Sequence, residues 1–211
     1  MNAIEVKNLS FQYPNQEVLW KDLSFIVQEH EHIFIEGASG VGKSSLFYAI
    51  NHCVPMHIQA KISGEVYLFD TLIKEYEHAK RIKSINLVFQ QAHWQFVGLT
   101  VMDELAFALE NLNVDSQTMA HKINEILNKF DIQHLKDKKT SQCSIGEQQL
   151  IALAATMLIQ PRILCLDEAL SAVSLSKKRQ IIPIIQQEVD TLLVVDHQKD
   201  PLWRMDRSIR L

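Results

Sequence analysis

The sequence predicts an α/β fold in which a β-rich start leads into a parallel-sheet core interrupted by a helical insertion. Three observations carry that prediction. Short apolar strands alternate with helices on either side of a long helical middle, the pattern of a parallel sheet. Several of those strands run straight into a glycine loop, a glutamine, an Asp-Glu pair or an Asp-His pair, and such sheets bind ligands at the carboxyl ends of their strands. Between about residues 98 and 160 the strand pattern gives way to apolar residues at three- and four-residue spacing, one face of a helix.

Residues 4–11 are short, partly alternating and β-like, and Pro14-Asn15 marks a turn. Residues 23–27 read as a second strand, and 33–35 as a compact apolar strand entering Gly37. A helix is expected over 43–52, a strand after the glycine turn over 64–69, and another over 85–89 that ends at Gln90. In the helical middle, Met119, Ile123, Ile126, Leu127 and Phe130 share one amphipathic face. A further helix spans about 146–160 and stops at Pro161, because the residue before a proline is pushed out of the helical region. Strands return at 163–166, ending in Asp167-Glu168, and at 192–195, ending in Asp196-His197. No repeat, linker or low-complexity tract breaks the chain, so residues 1–211 are read as a single domain.

Bulk properties narrow the function classes. Hydrophobic content of 47% and charged content of 22% suit a globular chain. The formal net charge of −4 argues against a nucleic-acid partner, which usually meets a basic surplus or stripe. The basic runs at Lys177-Lys178-Arg179 and at Lys136, Lys138 and Lys139 read as solvated charge. Cys53, Cys143 and Cys165 form no CxxC pair, which points to reduced thiols rather than a zinc site or disulfide framework. No signal pattern opens the chain and no apolar run is long enough for a bilayer, so service to a membrane would be from its surface, through a partner.

The chemistry is concentrated in Gly37-Ala38-Ser39-Gly40-Val41-Gly42-Lys43-Ser44, a full match to G-x-x-x-x-G-K-[ST] with a strand before it and a helix after. Glycines let backbone N–H groups turn inward around phosphate oxygens, and the helix adds its positive end. Lys43 is expected to reach the β- and γ-phosphates and the Ser44 hydroxyl to ligate magnesium. The 163–168 segment is an apolar strand delivering two adjacent carboxylates, which diverge. Asp167 suits the metal and Glu168 the general base that acts on the attacking water. Gln90 is placed to touch magnesium or that water, and His197 to bond the γ-phosphate and the water. Tyr13 has two readings, stacking on adenine or packing in the core. The remaining histidines are given no metal role.

These residues resemble the ABC transporter ATPase family over nearly the whole chain. Tyr13 matches its aromatic adenine loop, Gly37 to Ser44 its Walker A loop, Gln90 its Q-loop, 163–168 its Walker B strand and His197 its switch histidine. Ser144-Ile145-Gly146-Glu147 occupies the place of the signature Leu-Ser-Gly-Gly-Gln. The resemblance implies a P-loop NTPase of ABC ATPase type. Its core is a mixed or parallel sheet, with an N-terminal antiparallel β subdomain and a helical subdomain at about 98–160. It also implies ATP and Mg²⁺ as ligands, with Ser45 joining the phosphate cradle. Ser144 and Gly146 would bind the γ-phosphate of a nucleotide held by a second ATPase subunit. A narrower resemblance, over residues 88–112, is to the energy-coupling-factor subgroup, whose ATPases power uptake of vitamins and transition-metal ions. Gln95 and the Asp103-to-Asn111 stretch fit it, while Ala92-His93 replaces its usual Pro-Asp. Subgroup members often carry a further C-terminal dimerisation region, which this sequence is not expected to supply.

The departures from the family pattern fall together. Cys143, Ile145, Glu147 and Leu150 replace the signature's leucine, glycine and glutamine and the arginine common after it, and Ser174 stands in place of the D-loop aspartate. All act mainly on the partner's nucleotide. The residues acting on this chain's own nucleotide, Lys43, Ser44, Gln90, Asp167, Glu168 and His197, are intact. The resemblance implies a transport ATPase that works with an integral membrane subunit at the cytoplasmic face of the membrane, and this asymmetry points to pairing with a different ATPase subunit. A regulatory subunit that binds ATP with little hydrolysis is the alternative. A soluble ABC ATPase acting on DNA or ribosomes is a third reading, and the chain lacks the coiled coils and basic extensions it would need. Trp94, Phe96 and Val97 are candidate apolar contacts for the membrane subunit, and core packing explains them equally well.

Overall fold

The computed structural model describes residues 1–54, 58–196 and 200–211. A four-stranded antiparallel sheet is formed by β1 (Asn2–Gln12), β2 (Val18–Gln28), β4 (Lys61–Leu68) and β5 (Thr71–Leu72), in the order β2-β1-β4-β5. The register shifts along β1. These irregularities explain why the alternation of the first strands is only partial in the sequence.

The second sheet is parallel. Its strands are β3 (His32–Glu36), β6 (Ile85–Val88), β7 (Ile163–Asp167), β8 (Thr191–Val195) and β9 (Arg207–Arg210), in the order β6-β7-β8-β3-β9. Every residue of β7 and β8 is buried, which accounts for their continuous apolar runs. Alternate residues serve two cores. Leu164, Leu166, Leu192 and Val194 face the helical side, whereas Ile163, Cys165, Leu193 and Val195 face the antiparallel sheet.

The helices are α1 (Lys43–Ile50), α2 (His78–Ser84), α3 (Val101–Glu110), α4 (Ser116–Lys129), α5 (Ile145–Ile159) and α6 (Leu175–Glu188). Thr100 and Asp103 form a capping box at the start of α3, and the Asp115 carboxylate accepts from the Gln117 and Thr118 amides at the start of α4. On α4, Ile123, Ile126 and Leu127 are buried and Met119 packs beside them, as their spacing predicts. Helix α5 is buried without a break from Gln149 to Leu158 and so forms the spine of the larger core. It ends at Gln160, whose φ of 54° is left-handed, one residue before Pro161. Sequence reasoning does not place α2, α6, β5 or β9.

Candidate functional site

The parallel sheet brings the sequence-selected residues to one end. The glycine loop leaves β3 and enters α1, Gln90 follows β6, and Asp167 and Glu168 close β7. An open cavity of about 370 Å³ is lined by Tyr13, Ser39, Gly40, Gly42, Lys43, Ser44, Ser45, Gln90 and Glu168, among others. His197 lies outside the described residues.

Within the loop, Gly40 (φ 81°) and Gly42 (φ 100°) are left-handed, a conformation that favours glycine. Gly42 is the N-cap of α1, and a Cβ there would lie 2.7 Å from Nε1 of Trp20 and 3.0 Å from Cδ1 of Leu19. The Lys43 ammonium is folded back on the loop, donating to the carbonyls of Gly37 (2.9 Å) and Ala38 (3.1 Å). Ser44 Oγ donates to Asp167 Oδ1 at 3.0 Å. The other carboxylate oxygen of Asp167 is buried with no hydrogen-bond partner among the described residues. Burial pushes the Asp167 carboxyl up to about 6; the Ser44 hydroxyl opposes this and the Glu168 charge adds to it. An orphaned carboxylate oxygen beside a serine hydroxyl is the donor chemistry of a hard divalent cation such as Mg²⁺.

Gln90 Nε2 donates to Glu168 Oε2 at 2.6 Å. Glu168 has a left-handed φ of 49°, and its amide donates to the Val195 carbonyl at 2.8 Å, which ties β7 to β8 at the site. Tyr13 sits between the smaller core and the cavity. Its ring packs edge-on against Phe11 at 4.9 Å, and its hydroxyl lies 3.1 Å from Ser45 Oγ on the wall of the cavity.

Ser144 and Gly146 do not line this cavity. Ser144 is the N-cap of α5 in a capping box with Glu147: the Ser144 amide donates to the Glu147 carboxylate (2.6 Å) and Ser144 Oγ accepts from the Glu147 amide (3.3 Å). Lys138 holds the same carboxylate at 3.1 Å, so the Glu147 charge is turned onto its own chain. Ile145 is 68% exposed at the first position of the helix. Gly146 is a contact glycine, since a Cβ there would lie 2.6 Å from the Ala172 carbonyl oxygen. Ser174, in place of an aspartate, caps α6 by accepting from the Lys177 amide.

Two residues of this region escaped sequence reasoning. Gln149 is 1% exposed. Its carboxamide donates to Ser171 Oγ (3.0 Å) and accepts from the Ala172 amide (2.9 Å), which fixes the turn after Glu168. The signal was the second of two adjacent amides, Gln148-Gln149, placed where the apolar run of the helix begins. Glu104 is 5% exposed, and one of its oxygens accepts from the amides of both Val97 (2.8 Å) and Gly98 (2.7 Å). That clip presents Trp94, Val97 and Leu99 to solvent, whereas Phe96 packs against the core. The two readings of the segment are thus divided: Phe96 is core, Trp94 and Val97 are surface. From the other side, Thr140 Oγ1 donates to the Gly98 carbonyl (3.1 Å) and the Thr140 amide to the Leu99 carbonyl (3.0 Å).

The family model for ABC transporters matches residues 20–171. The putative HMP/thiamine import ATP-binding protein YkoD of Bacillus subtilis is 37% identical over 93% of this chain and 37% of its own length. The energy-coupling factor transporter ATP-binding protein EcfA1 of Leuconostoc mesenteroides is 31% identical over 99% of this chain and 77% of its own. The chain therefore spans little more than a third of the first relative and about three quarters of the second. Among solved structures, a dimeric ATP-binding cassette in a post-hydrolysis state with ADP and Pi aligns with a TM-score of 0.80 at 22% identity, covering 92% of this chain and 88% of that one. That last likeness is one of fold.

Proposed function

Because this chain belongs to the ABC transporter family, we propose that it is the ATP-binding and ATP-hydrolysing subunit of an energy-coupling-factor-type importer. The observation that carries the reading is the convergence of Lys43, Ser44, Gln90, Asp167 and Glu168 on one cavity at the carboxyl end of a parallel sheet. Tyr13 offers its ring to the base and residues 37–45 cradle the phosphates. Lys43 exchanges the Gly37 and Ala38 carbonyls for phosphate oxygens. Ser44, Asp167 and Gln90 would hold Mg²⁺, which when bound neutralises charge on the phosphates. Glu168 accepts a proton from the attacking water as that water's oxygen bonds the γ-phosphorus and the bond to the ADP oxygen breaks. His197 belongs to the same set by its position after β8.

The second half of the reading concerns partners. The α5 N-terminus is where a second ATPase subunit would present its γ-phosphate. There Ile145 covers the approach and the Ser144 and Glu147 amides already serve their own capping box. We assign this chain to an asymmetric pair in which its own glycine loop forms the active site with the partner's intact signature. The exposed Trp94, Val97 and Leu99 face an integral membrane subunit at the cytoplasmic side of the membrane. No helix among the described residues is long and apolar enough to cross a membrane. A vitamin or metal-ion cargo fits the energy-coupling-factor reading, and the name of the first relative, an HMP/thiamine import protein, favours the vitamin.

ATP turnover of the chain alone, at high concentration, tests the pairing. Nucleotide binding with poor turnover until a second subunit is added is the expected result. Cooperative turnover of the isolated chain, abolished by Glu168→Gln, would instead establish a competent homodimer. The altered signature also favours a second reading, a regulatory subunit with little hydrolysis of its own. Turnover that stays low in the pair, and that Glu168→Gln does not change, would select it.

A further inference from the structure

Trp20 lies on β2, outside every motif used so far, yet its indole reaches the glycine loop. The ring is 5.3 Å from that of Phe11, which in turn supports Tyr13. Its Nε1 is buried and has no hydrogen-bond partner among the described residues. Buried polar atoms in native proteins are nearly always paired, so each exception calls for a physical explanation. The nitrogen abuts Gly42, the N-cap of α1, at the point where the left-handed turn hands over to the helix.

The carbonyls of that turn are unevenly engaged. Those of Gly37 and Ala38 accept from Lys43, Ala38 also accepts from the Val41 amide, and that of Gly42 accepts from the Leu46 amide. In this arrangement the lysine points into the loop and the indole N–H has no acceptor among the described residues. A loop that wraps phosphates turns its N–H groups inward, which turns carbonyls outward, toward the wall where Trp20 stands.

We propose that the Trp20 indole N–H is a latent donor for the glycine loop, pairing with a carbonyl of residues 39–41 when Lys43 leaves Gly37 and Ala38 for the phosphates of a nucleotide. Trp20 is then a positioning residue for phosphate binding. A donor unpaired in one arrangement and paired in the other favours the second by that difference, and so raises nucleotide affinity without touching the ligand. The inference rests on the reading of this cavity as the nucleotide site.

The indole N–H can be watched directly. The chain contains three tryptophans, so indole-¹⁵N labelling gives three resonances, of which Trp94 is exposed and Trp203 buried. Trp20 is assigned by its contacts with Gly42 and Leu19. On addition of Mg²⁺-ATP its indole proton is expected to move downfield and to gain protection from solvent exchange. Trp20→Phe, which removes the N–H and keeps an aromatic ring, should weaken ATP binding about fivefold, the worth of one neutral hydrogen bond. Its melting temperature without nucleotide should be unchanged or higher, because an orphaned donor has gone; a purely structural tryptophan would lower both. A Trp20 indole proton that stays in place while the amides of Gly40 and Gly42 shift overturns the proposal, whatever the fate of the variant. Loop amides that also stay in place overturn the nucleotide-site reading instead.

Discussion

Gln90 and Glu168 are bonded to each other, the carboxamide donating to the carboxylate at 2.6 Å across the ends of the neighbouring strands β6 and β7. The pairing aims the carboxylate from one side, while the Glu168 amide, anchored on Val195, fixes its backbone. The glutamate thus enters the cavity with its orientation set by two adjacent strands.

For the assembled enzyme, Glu168→Gln should lower turnover by about 10²- to 10⁴-fold, the usual worth of a positioned general base. ATP should still bind, since the glycine loop and Lys43 are untouched. Single-turnover phosphate release and equilibrium nucleotide titration on the same preparation separate the two. Loss of binding in step with turnover would place Glu168 in the phosphate cradle.

Gly146→Ala should destabilise the chain by about 1–3 kcal/mol, the cost of forcing an atom into a filled space. The Cβ would lie 2.6 Å from the Ala172 carbonyl oxygen, a backbone atom in the turn that Gln149 braces. Urea unfolding measures the difference. A midpoint equal to that of the parent would mean that the turn gives way at no cost.

Glu104 supplies a pH signature. Burial raises its pKa above the ordinary 4.5, and the Val97 and Gly98 amides only partly offset this. A carboxyl whose folded pKa lies above its unfolded one binds its proton more tightly when folded. Its contribution to stability is complete below the unfolded value and is lost as pH rises through the folded one. Glu104→Gln keeps an oxygen for the two amides but cannot ionise. Relative to the parent it should gain stability as pH rises from 4 to 7. Parallel urea midpoints across that range, with no divergence, would show that the site does not resist ionisation.

Replacing Trp94, Val97 and Leu99 by serine should leave stability within about 0.5 kcal/mol per site, as expected for exposed positions. At 65%, 63% and 81% exposure they contribute little to the core. The triple variant should keep nucleotide binding and lose co-elution with the membrane subunit. Undiminished co-elution would remove these residues from the docking surface.

The strand ends were legible because each carries a polar residue directly after an apolar run, and the sheet then has one way to gather them. Helix α6 was hidden. Its first turn runs into Lys177-Lys178-Arg179 and it contains Pro183, so composition argued for a solvated segment; its apolar face, Ile181, Ile182 and Ile185, is short. Strand β9 has only four residues and one buried position, too few to show a period. Tyr13 was visible as a candidate but not decidable, since its ring packs on Phe11 while its hydroxyl reaches Ser45 on the wall of the cavity. Glu147 showed in the sequence only as a replacement for the signature glutamine, and the fold shows Lys138 and the Ser144 amide absorbing its charge. Trp20 and Glu104 could not be selected, because what distinguishes them is the position of one atom relative to a loop: Gly42, 22 residues on, for Trp20, and the nearby Val97 and Gly98 amides for Glu104.

Thr140 has a mechanical consequence. It grips the strand of chain carrying Val97 and Leu99, and its own carbonyl accepts from Gln148 on α5, one turn beyond Ser144. The apolar ridge and the helix that starts at Ser144 are therefore bolted together through one side chain and one peptide. Anything that leans on the ridge tilts the helix as a lever rather than bending a spring, and force crosses from the ridge to the Ser144 end with little slack in between.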